Sequence, residues 1–278
     1  MRVTFWGTRG SIASPGPATQ RYGGNTACVQ VSADDGTILI LDAGTGIRAL
    51  GEALPRDVQR IDILLSHLHM DHIQGLGFFG PFFTPGREIH LWGPPSATLD
   101  LRARLSRYLS PPLFPVRMRD VESELELHNA PAEPTRIGAF EVAAATIIHP
   151  GPTVGYRITE NGTTLAYLSD HEPALGDDSF PAAPSWTSGH DLAAGVEVLV
   201  HDGQYSEAER RERIGWGHSS TVEAAMFARQ AGAKRLVCFH HDPSHDDEAV
   251  DRLVEQAAAA VAGSVLVSGA REGVSLPV

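Results

Sequence analysis

Six consecutive residues constrain this chain more than any other stretch: His67-Leu68-His69-Met70-Asp71-His72. They follow Ile61–Leu65, an apolar run of the length expected for one buried strand. Alternate side chains of an extended segment share a direction. His67 and His69 can therefore reach one ion while Asp71 and His72 turn toward a second. Imidazole nitrogen and carboxylate oxygen suit Zn, and also Mn or Fe. A merely solvated loop has no reason to place four donor side chains in six positions directly after an apolar strand.

The rest of the chain reads as strands first and αβ units later. Arg2–Trp6 alternates, and Gly7-Thr8-Arg9-Gly10-Ser11 breaks it. Thr26–Ser32 and Thr37–Leu41 read as a hairpin around Asp34-Asp35-Gly36, with a short helix over Gly44–Leu54. Strands are expected at Phe140–Ile148, Thr153–Thr159, Thr164–Leu168, Val196–Val200 and Arg235–Phe239, and a last one at Val265–Val267. Helices are expected at Ser220–Ala231 and Asp246–Ala262. This order fits an α/β protein with two sheets between two helix layers. The stretch 78–120 stands apart, with Phe78, Phe79, Phe82 and Phe83 at its start, two Pro-Pro pairs and a basic helical segment Leu99–Leu109. It reads as an inserted, lid-like segment of one domain spanning 1–278, its Phe residues serving the core more than a substrate. Phe78–Phe83 is equally compatible with a homodimer interface.

Composition sets outer bounds. Of 278 residues, 42% are hydrophobic and 20% charged, enough for a large core without covalent staples. A formal net charge of -12 argues against a stable nucleic-acid partner. It leaves phosphate substrates open, because bound divalent ions reverse the local field. Cys28 and Cys238 both sit in strand-like apolar stretches and read as buried, reduced thiols. The first residues lack a signal-peptide pattern, and no apolar run reaches membrane-spanning length, so the cytoplasm is the expected compartment and no membrane association is expected.

The His-x-His-x-Asp-His run after a strand resembles the signature of the metallo-β-lactamase superfamily, and the resemblance spans most of the chain. It implies a four-layer αββα sandwich and further ligands in a fixed order. His149, Asp170 and His240 stand at the matching positions, each at a strand end. By resemblance, His67, His69 and His149 hold one divalent ion, Asp71, His72 and His240 hold the other, and Asp170 bridges them. The implied cofactor is two divalent ions, Zn foremost, with Mn or Fe compatible. His240 is preferred over His241 because it directly follows the apolar strand. His201-Asp202 could support the ligands through hydrogen bonds. His90, His128, His190 and His245 lack any supporting pattern and read as surface or structural residues.

Gly217-His218-Ser219-Ser220 is similar to the Gly-His-Ser-Thr segment of the phosphodiesterase branch, which includes RNase Z and metal-dependent cyclic-nucleotide phosphodiesterases. A helix cap explains Ser219 or Ser220 but does not require His218. By resemblance, His218 assists the leaving oxygen, Asp71 orients the attacking water, and Ser219 and Arg9 are candidate substrate contacts. The tRNA endonuclease fits less well. Its Gly-Glu-Gly-Thr-Gln segment would fall on Asp42-Ala43-Gly44-Thr45-Gly46, and no basic Gly/Pro-rich arm is present. The expectation is a small-molecule phosphodiester, such as a cyclic nucleotide. The competing expectations are a carbon-centred metallo-hydrolase acting on a lactone, thioester or β-lactam, and a non-catalytic protein whose metals are structural.

Overall fold

Two seven-stranded sheets face each other, and the apolar alternation of their strands explains why. The computed structural model describes residues 1–174 and 183–278. In the first sheet, β1 (Arg2–Gly7), β2 (Cys28–Ser32), β3 (Ile38–Leu41), β4 (Arg60–Leu64), β5 (Glu88–Gly93) and β6 (Glu124–Asn129) run in sequence order. In the second, β7 (Thr135–Ile137), β8 (Phe140–Thr146), β9 (Val154–Glu160), β10 (Thr163–Leu168), β11 (Val198–Asp202), β12 (Arg235–Phe239) and β13 (Leu266–Gly269) do the same. β14 (Ser275–Pro277) returns to pair antiparallel with β1. β2 and β3 form the hairpin expected around Asp34-Asp35-Gly36.

Three apolar clusters separate four layers. Phe5, Val29, Val31, Leu39, Leu41 and Leu64 meet Phe140, Tyr156, Ile158, Tyr167, Val200 and Phe239 between the sheets. Ile40, Ile61, Ile63 and Leu91 turn the other way, onto α1 (Ile47–Ala53) and α3 (Leu101–Leu105). α2 is the single turn Met70–Ile73 that carries Asp71 and His72. Behind the second sheet, Leu199, Leu236 and Cys238 pack on α4 (His190–Ala193), α6 (Thr221–Ala231) and α7 (Asp247–Ala260), while the short α5 (Glu207–Glu212) lies between β11 and α6 in the chain. β4 sends Leu64 to the inner cluster and Ile61 and Ile63 to the outer one, with Asp62 as a buried polar residue between them. α6 starts in a capping box of Ser220 with Glu223 and ends at Gly232 in the left-handed conformation. No helix among the described residues is long and apolar enough to cross a membrane.

The stretch 78–120 departs from its sequence reading. It contributes β5, which lies between β4 and β6 in the first sheet, so part of it is framework. Phe79 and Phe82 are buried in the outer core, while Phe78 is 62% exposed. The basic helix is only Leu101–Leu105. β5 and β6 escape a hydrophobicity reading because their inner-face positions hold His90, Trp92, Glu126 and His128.

β3, β4 and β5 are mutually parallel, as are β10, β11 and β12. Their carboxyl ends emerge at one rim, the usual place for a ligand site in an α/β sheet.

Candidate metal centre

That rim gathers the ligand-type residues from both sheets. β4 leads into Ser66, His67 and His69, and α2 supplies Asp71 and His72. β8 leads to His149, β10 to Asp170, and β12 to His240. Two donor groups result: His67, His69 and His149 in one, and Asp71, His72, Asp170 and His240 in the other, the donor atoms of each lying within 4.8 Å of one another. His149 Nε2 is 3.1 Å from His69 Nδ1, and His72 Nε2 is 3.2 Å from His240 Nε2. The Asp170 carboxylate lies between the groups. Oδ1 is 3.1 Å from His72, and Oδ2 is 3.3 Å from His240, 3.7 Å from His67 and 3.9 Å from His149.

The donor chemistry fits divalent ions. Each of three imidazoles spends its Nδ1–H on an acceptor behind it: His72 on Asp42 (2.8 Å), His149 on the Gly217 carbonyl (2.9 Å), and His240 on Gln204 Oε1 (3.1 Å). Their Nε2 lone pairs are thereby aimed inward, where lone pair faces lone pair and only a cation relieves them. His67 Nε2 is buried without a hydrogen-bond partner. Burial pushes His67 well below the usual imidazole range and His149 down to about 4, leaving both neutral and ready to ligate. Burial also opposes charge on His72, yet Asp170, Asp71 and Asp42 outweigh it and raise that imidazole. The carboxylates thus favour positive charge there, whether proton or metal. Burial would raise Asp71, but His72 and His240 hold it well below the carboxylate range.

The backbone is bent to serve this geometry. Asp42 (φ 59°), His240 (φ 61°) and Ser11 (φ 60°) adopt the left-handed region that side chains disfavour. Ser11 N–H donates to Asp71 Oδ2 at 2.7 Å. Gly217, at φ 85°, lies against His149, and a Cβ there would meet its ring at 2.4 Å.

His218 sits beside this cluster. Its Nδ1–H donates to Asp202 Oδ2 at 2.7 Å, and its ring stacks on His240 at 5.2 Å. Burial disfavours its charge, but the Asp202 carboxylate prevails and raises it to about 9. Asp202 also accepts from Gln204 N and His171 N.

Other expected positions fall elsewhere. Arg9 is fully buried; its Nε and Nη1 donate to the carbonyls of Gly23, Asp242 and His245, and its Nη2 lies 4.0 Å from Asp247. It anchors loops rather than facing a substrate. Ser219 is likewise buried, its hydroxyl donating to the His171 carbonyl at 2.6 Å. His241 bonds the Ala270 carbonyl and burial lowers it to about 3, so it stands apart from the cluster. His201 backs His171 at 2.9 Å, and of the His201-Asp202 pair only Asp202 reaches a site side chain.

Sequence reasoning passed over three residues. Asp42, fully buried, accepts from Ser66 N–H, Ser66 Oγ, Tyr167 OH and His72. Arg104 and Arg107 line a cavity of about 270 Å³ that opens on His67 and His69, together with Ser96, Thr98 and Pro150.

Residues 37–241 match the family model described as beta-lactamase superfamily domain. A ribonuclease Z of Deinococcus radiodurans is 30% identical over 283 residues, covering 76% of this chain and 85% of that protein. Two solved structures share the fold. A diphosphatase of the PhnP family superposes with a TM-score of 0.67 at 19% identity, covering 99% of this chain and 97% of its own. Unliganded yeast PDE1 superposes with a TM-score of 0.65 at 13% identity, covering 100% and 99%.

Proposed function

The chain belongs to the beta-lactamase superfamily, in its metallo-β-lactamase form, and from that premise we propose that it is a dinuclear metal-dependent phosphodiesterase acting on a small phosphodiester such as a cyclic nucleotide. The observation that carries this reading is the Asp202–His218 pair beside the donor cluster. Cleaving a phosphodiester expels an alkoxide, which leaves far more readily when it is protonated as the bond breaks. Asp202 occupies Nδ1 of His218, so Nε2 is the nitrogen that can deliver that proton. Burial opposes its charge, but the Asp202 carboxylate raises the imidazole to about 9 and so favours the protonated form that a general acid needs.

His67, His69 and His149 would hold one ion, and Asp71, His72 and His240 the other, with Asp170 between them. Divalent ions there supply Lewis acidity toward a phosphoryl oxygen and acidify water. Zn matches the His-rich donor set best, with Mn and Fe compatible. Asp71, fixed by Ser11 N–H, would orient the attacking water. Arg104 and Arg107 would hold an anionic part of the substrate on the His67–His69 side. The ribonuclease Z and PhnP-family likenesses support phosphoester chemistry. The net charge of -12 favours a small anion over tRNA. Two buried free thiols suit a cytoplasmic setting.

The deciding experiment is turnover of bis(p-nitrophenyl) phosphate by Zn- or Mn-reconstituted protein, beside a chelated control and a lactone and thioester panel. Metal-dependent diester cleavage, followed by cleavage of a cyclic nucleotide, is expected. Silence on the diester with turnover of a lactone or thioester would overturn the phosphodiesterase reading.

A further inference from the structure

Among the described residues, a third group of ligand-type side chains lies away from the rim: His90 on β5 with Glu126 and His128 on β6. The register explains their meeting. Leu39, Asp62, His90 and Glu126 are successive partners across β3 to β6, and Trp92 pairs with His128. Leu39 and Leu64 fill the core between the sheets. On β5 and β6 the same face turns polar, at the free edge of the sheet.

His90 Nδ1 and His128 Nε2 are 2.9 Å apart, and Glu126 Oε2 is 3.6 Å from each. The point equidistant from these three atoms lies about 2.0 Å from every one, which is the bond length of a Zn–imidazole or Zn–carboxylate contact. A proton shared between two imidazoles accounts for the 2.9 Å contact alone. It gives no reason for a carboxylate oxygen to sit equally far from both nitrogens. The rings are nearly parallel, at 10°, with centroids 5.2 Å apart, so the two nitrogens lie between the ring centres and Glu126 approaches them from the side. Trp92 stacks on His128 at 4.2 Å, and its indole N–H is fixed on Asp62. His90 is largely buried and Glu126 is exposed, so the group opens to solvent on the carboxylate side.

We infer that His90, Glu126 and His128 form a separate binding site for one borderline transition-metal ion, Zn in the first instance, with its remaining position open to water. Two imidazoles and one carboxylate suit Zn, Cu and Ni and disfavour Mg and Ca. An ion there cross-links the edge strand β6 to β5 beside it, protecting an edge on which no further strand pairs among the described residues.

The test uses protein whose rim site is already loaded with Zn, titrated with Ni²⁺. One further equivalent is expected by metal analysis, with quenching of Trp92 fluorescence in step with it. His128→Ala and Glu126→Gln change partly exposed side chains. His128→Ala is expected to weaken the added equivalent by more than about tenfold. Trp92→Phe should remove the quenching and keep the stoichiometry. Mg²⁺ should leave the signal unchanged. An added equivalent of unaltered affinity in His128→Ala, or none in the unmodified protein, overturns the assignment.

Discussion

The two halves of the rim cluster are built differently. The half around His72, Asp170 and His240 is deep: these side chains are 0–2% exposed, and Asp42, Gln204 and Ser11 each hold one donor residue from behind. In the half around His67, His69 and His149, His67 and His149 are as buried, and it is His69 that makes this half shallower. His69 is exposed, its Nδ1 faces only His149, and the Arg104–Arg107 cavity opens beside it. The deep half has its lone pairs fixed before any ion arrives, so it should bind more tightly and exchange more slowly. The shallow half has ligand positions that solvent and substrate can reach.

The largest effect that could break this contrast is expected from Asp42→Ala. It strips four hydrogen bonds from a buried carboxylate position and leaves the His72 ring unheld. A stability loss of about 3–5 kcal/mol is expected from denaturant unfolding, with loss of the deep ion by metal analysis. Retention of both stability and metal would show that the deep half owes nothing to Asp42. His218→Ala comes next, with turnover down about 10²–10⁴-fold and metal content unchanged. Unaltered turnover would remove His218 from the chemistry. His69→Ala deletes a shallow donor. Metal content is expected to fall by about half, with the remaining ion resisting chelator as in the unmodified protein. If the deep ion leaves first, the ranking of the halves is inverted. Gln204→Ala should weaken the deep ion about 10–100-fold, measured by competition with a chelator, because His240 loses the acceptor that fixes its tautomer. Arg107→Ala is the mildest: a KM increase of about threefold to tenfold at constant kcat, since a single exposed cation contributes modestly. No change in KM would mean that the substrate does not use the shallow side.

The donors of the two halves are unequally legible in the sequence, by their spacing and not by their depth. The His67–His72 run announces itself because four donors are neighbours in sequence and follow β4 directly. His149, Asp170 and His240 became recognisable only through resemblance, as single residues at strand ends. Asp42 also ends a strand, yet Leu-Asp-Ala-Gly carries no local sign that it will meet Ser66, Tyr167 and His72. That meeting is made by the parallel pairing of β3 with β4 and by the packing of the second sheet. Arg9 misled for the opposite reason. A Gly-flanked Arg near a first strand suggests a phosphate contact, but loop closure buries it among carbonyls. The layers themselves were readable wherever inner and outer faces are apolar. They were not at β5 and β6, whose inner face carries His90, Trp92, Glu126 and His128 in place of Val or Leu.

The donors span residues 67 to 240: those up to His72 follow β4 of the first sheet, and His149, Asp170 and His240 follow strands of the second. During synthesis, the His67–His72 run emerges long before its partners, so the nascent chain holds half a chelate. No closed coordination shell exists until β12 has docked and His240 has followed it. Metal capture at the proposed centre would therefore come late in biogenesis, with ion supply acting on a chain whose framework is already chosen. Cells short of metal should accumulate an inactive but native-like apoprotein rather than an unfolded one.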